Sequence, residues 1–82
     1  MATVELTQIA RNLDAVNVNG TILYFSYETC VAYRLEGDPR TVCCENVWSQ
    51  STGKHLNMIE PDKDKRFPKE QFDKYRDELE VL

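Results

Sequence analysis

Apolar and polar residues alternate most regularly in the middle of the chain. Ala15-Val16-Asn17-Val18 and Thr21-Ile22-Leu23-Tyr24-Phe25-Ser26-Tyr27 flank Asn19-Gly20, and this is a hairpin signature, because Asn-Gly supplies the positive φ angles of a type I′ turn. A second pair follows, Cys30–Leu35 and Thr41–Trp48. Glu36-Gly37-Asp38-Pro39 between them is turn chemistry. The pattern predicts an antiparallel sheet of three to four strands.

Both flanks read as helical. Leu6, Ile9, Ala10 and Leu13 fall at i, i+3, i+4 and i+7, which predicts a short helix over 3–13 with Thr3 and Glu5 near its start. Thr3-Val4-Glu5-Leu6-Thr7 has equally the form of a strand beginning. After Trp48, Ser51 or Thr52 is placed to cap a turn of helix through His55–Ile59 that Pro61 stops. The charged run 60–66 reads as a solvated connector. Pro68 sits at a first helical position, and Phe72, Tyr75 and Leu79 share one face of the helix that follows, with Phe67 as its staple. The expectation is one α+β domain spanning residues 1–82, its carboxy-terminal helix packed on one face of the sheet.

Size and composition narrow the picture. Eighty-two residues give too little chain for two cores. Hydrophobic residues make up 41% and charged residues 29%, close to globular norms. No apolar run approaches the roughly 20 residues of a membrane span, and the amino terminus lacks a secretory pattern. Three cysteines without such a signal suggest reduced thiols, so a cytoplasmic protein is expected. A net charge of −4 and a pI of about 4.9 disfavour nucleic acid as a partner and favour a basic protein surface.

Candidate chemistry is sparse. His55 is the single histidine, and a nucleophilic site would need it beside Ser49, Ser51 or a cysteine, with an orienting carboxylate. No nucleophile elbow, phosphate loop or paired-carboxylate motif accompanies it, so an enzyme is not expected, and no cofactor is implied. Cys30, Cys43, Cys44 and His55 have the count of a Cys₃His zinc site. They lack its paired spacing, though, and neighbours in a strand point to opposite faces. No metal site is expected; the thiols read as small buried hydrophobes. Tyr24, Phe25, Tyr27, Tyr33 and Trp48 crowd the strands, enough to build a core and leave rings for a protein-binding surface.

Ser26, Tyr27, Thr29, Val31 and Ala32, followed by Ser49, Ser51, Thr52, His55, Leu56 and Asn57, carry a resemblance. They match S-Y-x-T-x-V-A and S-x-S/T-T-x-x-H-L-N, two motifs in order over residues 18–59. The chain thereby resembles a small uncharacterised domain family of bacteriophage and prophage genomes. The acidic carboxy-terminal helix and the Cys43-Cys44 pair lie outside the pattern.

The resemblance implies a phage-encoded accessory protein and carries over no catalytic or binding residue. With the charge and the missing catalytic apparatus, it leads to a non-enzymatic protein that binds a host protein. An anti-CRISPR or other anti-defence inhibitor is the specific form, acting on a CRISPR effector or nuclease subunit. The expected partner-binding residues are Glu36, Asp38, Asp73, Asp77 and Glu78, with Trp48 as anchor. The alternatives are a structural or regulatory phage protein that self-associates, as a homodimer for instance, or a nucleic-acid binder using Lys54, His55, Lys63, Lys65 and Arg66.

Overall fold

The computed structural model describes residues 4–79. Five strands form an antiparallel meander in chain order: β1 (Val4–Ala10), β2 (Leu13–Val18), β3 (Thr21–Ser26), β4 (Thr29–Arg34) and β5 (Val42–Cys43). Two helices follow, α1 (Gln50–Ile59) and α2 (Lys69–Asp77), joined through a 3₁₀ turn at Lys63–Lys65. The expected α+β class holds, with five strands rather than three or four.

The additional strand is the segment expected as an amino-terminal helix or, alternatively, the beginning of a strand. Val4, Leu6 and Gln8 lie opposite Val18, Val16 and Asp14 of β2. The register then slips at Ile9, so that Ala10 faces Leu13 across the two-residue turn Arg11-Asn12, where Asn12 has φ 62°. That bulge and turn shift the apolar positions out of strict alternation and so mimic helical spacing. The proposed cap Thr3 lies outside the described residues.

The Asn19-Gly20 turn forms as expected, with φ 54° and 93°, and Asn17 Oδ1 accepts from the Gly20 N–H at 2.8 Å. The expected strand Thr41–Trp48 is much shorter. It leaves the sheet after Cys43, and Cys44 bridges Phe67 instead. The Phe67 N–H donates to the Cys43 carbonyl and the Glu45 N–H to the Phe67 carbonyl, each at 2.8 Å. α1 is longer than expected and begins earlier, because Ser49 rather than Ser51 or Thr52 caps it, its hydroxyl accepting from the Thr52 N–H at 3.2 Å.

The helices cover opposite faces. Leu23, Tyr33 and Cys44 pack with Phe72 of α2, and Phe25, Phe67, Tyr75 and Leu79 close around them. On the other face, Val31, Ala32 and Cys43 pack with Leu56 of α1. A bulge between Tyr24 and Phe25 on one side and Ala32 and Cys30 on the other leaves Val31 as the extra residue of β4. It therefore joins Ala32 on the α1 face. Cys43 and Cys44 point to opposite faces, as the strand period requires. Both helices sit over β3–β5, and β1 is left outside their cover.

Candidate binding surfaces

Ser26 ends β3 on the face that α1 covers, and α1 presents Thr52 and His55 to it one turn apart. Ser26 Oγ lies 2.7 Å from His55 Nδ1 and 3.1 Å from Thr52 Oγ1. Thr52 Oγ1 also accepts from the Ser49 hydroxyl at 3.5 Å, and His55 Nε2 meets the Arg11 carbonyl at 3.1 Å. A carbonyl only accepts, so Nε2 carries a proton. Ser26 Oγ thus bridges His55 Nδ1 and Thr52 Oγ1. A continuous hydrogen-bonded chain runs from Ser49 through Thr52 and Ser26 to His55 and the β1–β2 turn. The Tyr27 ring closes one side at 5.7 Å from His55. Tyr27 itself holds φ 58°, and its N–H donates to the Asn12 carbonyl at 2.7 Å.

The two sequence motifs therefore meet in space. A nucleophilic site would have needed His55 beside Ser49, Ser51 or a cysteine; its hydroxyl partner is Ser26. Ser26 is only 2% exposed and His55 7%, and His55 meets a backbone carbonyl where a nucleophilic triad places a carboxylate. Buried in this way, the group pins α1 to two hairpin turns. Val31, Ala32 and Leu56, from the same motifs, are core.

Cys43 and Cys44 are equally enclosed, and Cys30 is half-buried. Burial pushes Cys43 up to about 12 and Cys44 up to about 11, and raises Cys30 as well, so none is a ready thiolate. Among the described residues no three metal-ligating side chains cluster.

The six expected contact residues do not share one surface element. Glu36 and Asp38 lie in the β4–β5 loop beside the Asn19-Gly20 turn, where the Glu36 stem covers Gly20 so closely that a Cβ there would meet Glu36 Cδ at 2.7 Å. Asp38 pairs with Arg40 at 3.3 Å, which holds its carboxyl below the usual range. Asp73, Asp77 and Glu78 belong to α2 or its end. Lys69 Nζ bonds Asp73 at 2.6 Å and lowers its pKa, and Arg76 lies 3.3 Å from Asp73 and 3.4 Å from Asp77. Trp48 is half-buried and packs against both core clusters.

The surface that sequence reasoning missed is β1. Val4 is 64% exposed, Leu6 69% and Ile9 47%, and six of the seven β1 residues are exposed. β1 is the edge of the sheet, and no other described element pairs with its outer side. Val4 and Leu6 lie opposite Val18 and Val16, so the apolar row continues onto β2. An edge with this much exposed apolar side chain is what monomeric sheet proteins ordinarily blunt with lysine, proline, a bulge or cover, and β1 has only the bulge near its end at Ile9. Here Glu5 is the single charge in the strand.

No helix among the described residues is long and apolar enough to cross a membrane. No curated protein and no solved structure matches the chain. The model of one family matches residues 3–74, a span that takes in all five strands, α1, the buried Ser26–His55 network and most of α2. The chain belongs to this family, a family of unknown function (DUF8033).

Proposed function

We propose that this chain is a non-enzymatic protein-binding domain that takes its partner along the open edge of β1. The observation that carries this is the exposure of Val4, Leu6 and Ile9 on an unpaired edge strand. Strand addition uses such an edge, with backbone hydrogen bonds giving affinity and alternate side chains giving selectivity. The partner is an extended segment with apolar residues at every second position. Basic flanks would complement Glu5, Asp14 opposite Gln8, and the net charge of −4. Within this reading the partner is a host protein. A CRISPR effector or nuclease subunit is the class suggested by the phage resemblance, since nucleic-acid-binding proteins carry basic surfaces. The acidic residues then act at long range, because Asp38, Asp73 and Asp77 are already paired with cations.

Capture from host lysate with the native chain and with Leu6→Lys tests this. The native chain should recover one partner in stoichiometric amount and the Leu6→Lys variant, still folded, should not. Equal recovery by both would contradict the reading. A second copy is the competing occupant, since pairing centred on Leu6 sets Glu5 opposite Thr7 and opposes no like charges. Sedimentation separates the two, as self-pairing predicts a native dimer that Leu6→Lys makes monomeric.

A further inference from the structure

The protein is acidic overall, yet the charged residues that line one depression in it are all cations. Gln50, Gly53, Lys54 and Asn57 project from the outer stripe of α1, at i, i+3, i+4 and i+7. Asn46 from the preceding loop, Lys63 from the 3₁₀ turn and Arg66 from its end complete a depression of about 420 Å³. No carboxylate lines it. Among the described residues, Lys54, Lys63 and Arg66 have no carboxylate within ion-pair distance. Asp62 and Asp64 flank Lys63 in sequence but stay off the lining, and Asp62 Oδ1 accepts from the Asp64 N–H at 3.0 Å.

The lining is held in place. Arg66 Nε and Nη2 donate to the Glu60 carbonyl at 3.1 and 2.8 Å, and Nη2 also reaches Asn57 Oδ1 at 2.9 Å. The guanidinium is thereby locked to the end of α1 with its Nη1 donors unspent, and Asn57 is turned so that its amide N–H₂ remains to donate. Asn46 is fixed at both ends, Nδ2 donating to the Ser49 carbonyl and Oδ1 accepting from the Trp48 N–H, each at 3.0 Å. It lies over Gly53 so closely that a Cβ there would stand 2.8 Å from Nδ2. The Lys54 and Lys63 ammonium groups thus share the depression with a pre-set guanidinium, a donor-rich lining that suits a phosphate group.

We infer that this depression binds a small phosphorylated ligand of nucleotide size. The volume is in the range of small-molecule sites. Three cations converging on one depression, in a chain of net charge −4, suit a compact phosphate better than a strand, which needs cations along a track. The inference is independent of the β1 edge, which belongs to another element.

Titrations with inorganic pyrophosphate, with ADP and with a short single-stranded oligonucleotide, each followed by amide chemical shifts, test it. Pyrophosphate and ADP should saturate with shifts confined to Asn46, Lys54, Asn57, Lys63 and Arg66. The Lys54→Ala/Lys63→Ala variant should bind at least about tenfold more weakly with an unchanged melting temperature. Absence of saturation, shifts scattered over the surface, or equal binding by the variant would overturn the inference. So would tight binding of the oligonucleotide with neither small probe bound, which would assign the surface to a nucleic-acid strand.

Discussion

At the scale of single residues, the Ser26–His55 contact has the clearest consequence. Every member of the chain Ser49–Thr52–Ser26–His55–Arg11 is hydrogen-bonded to the next, and Ser26, Thr52 and His55 are buried. Ser26→Ala leaves His55 Nδ1 and the Thr52 hydroxyl unmatched, and should cost about 1–3 kcal/mol in urea unfolding. His55→Ala should cost at least as much, since it also empties volume beside Tyr27. If both variants unfold with the native chain, the network is not structural. The buried thiols make a second test. Their folded pKa values are raised above an ordinary 9.0, to about 12 for Cys43 and about 11 for Cys44. The unfolded chain therefore releases these protons first, and stability is complete below pH 9 and lost as pH rises through 9 toward 11–12. Tyr33, raised chiefly by its own burial, acts in the same sense. A Cys43→Ala/Cys44→Ala variant should show a shallower alkaline loss, and an identical pH profile would contradict the assignment.

At the scale of elements, Gly53 within α1 looks like a defect and is instead a contact. Alanine is favoured over glycine in a helix by about 1 kcal/mol, but a Cβ at Gly53 would displace the Asn46 amide from the Ser49 carbonyl. Gly53→Ala should therefore gain nothing in the native chain. In an Asn46→Ala background it should gain about 1 kcal/mol, as read from urea midpoints at constant slope. Equal gains in both would show that the contact is weightless. Strands β2 to β4 and helix α2 were legible in the sequence because their signals are local: period-2 alternation, Asn-Gly, and an apolar face after Pro68. β1 was legible only as an alternative to a helix, because its bulge at Ile9 produces spacings that fit both, and only pairing with β2 decides the matter. β5 ended early for a similar reason, since Phe67, far along the chain, takes the place of its continuation. Ser26 and His55 were both visible as motif residues. Their contact was not, since it depends on which face of β3 receives α1.

For the molecule as a whole, charge and apolar surface have separated. In the carboxy-terminal helix and the β4–β5 loop, Asp73, Asp77 and Asp38 are answered by Lys69, Arg76 and Arg40. Exposed apolar surface lies on β1, at the sheet edge and outside the cover of both helices. A small domain with a helix on each face of its sheet would be expected to shield or charge such an edge unless the edge has an occupant. The most direct measurement is amide hydrogen exchange of the chain alone and with its captured partner. Slowing concentrated in Val4–Ala10 on binding, with Glu36, Asp38 and α2 unchanged, is the predicted result. Unchanged exchange in β1 together with new protection at the β4–β5 loop or α2 would contradict it and move the interface to the acidic residues.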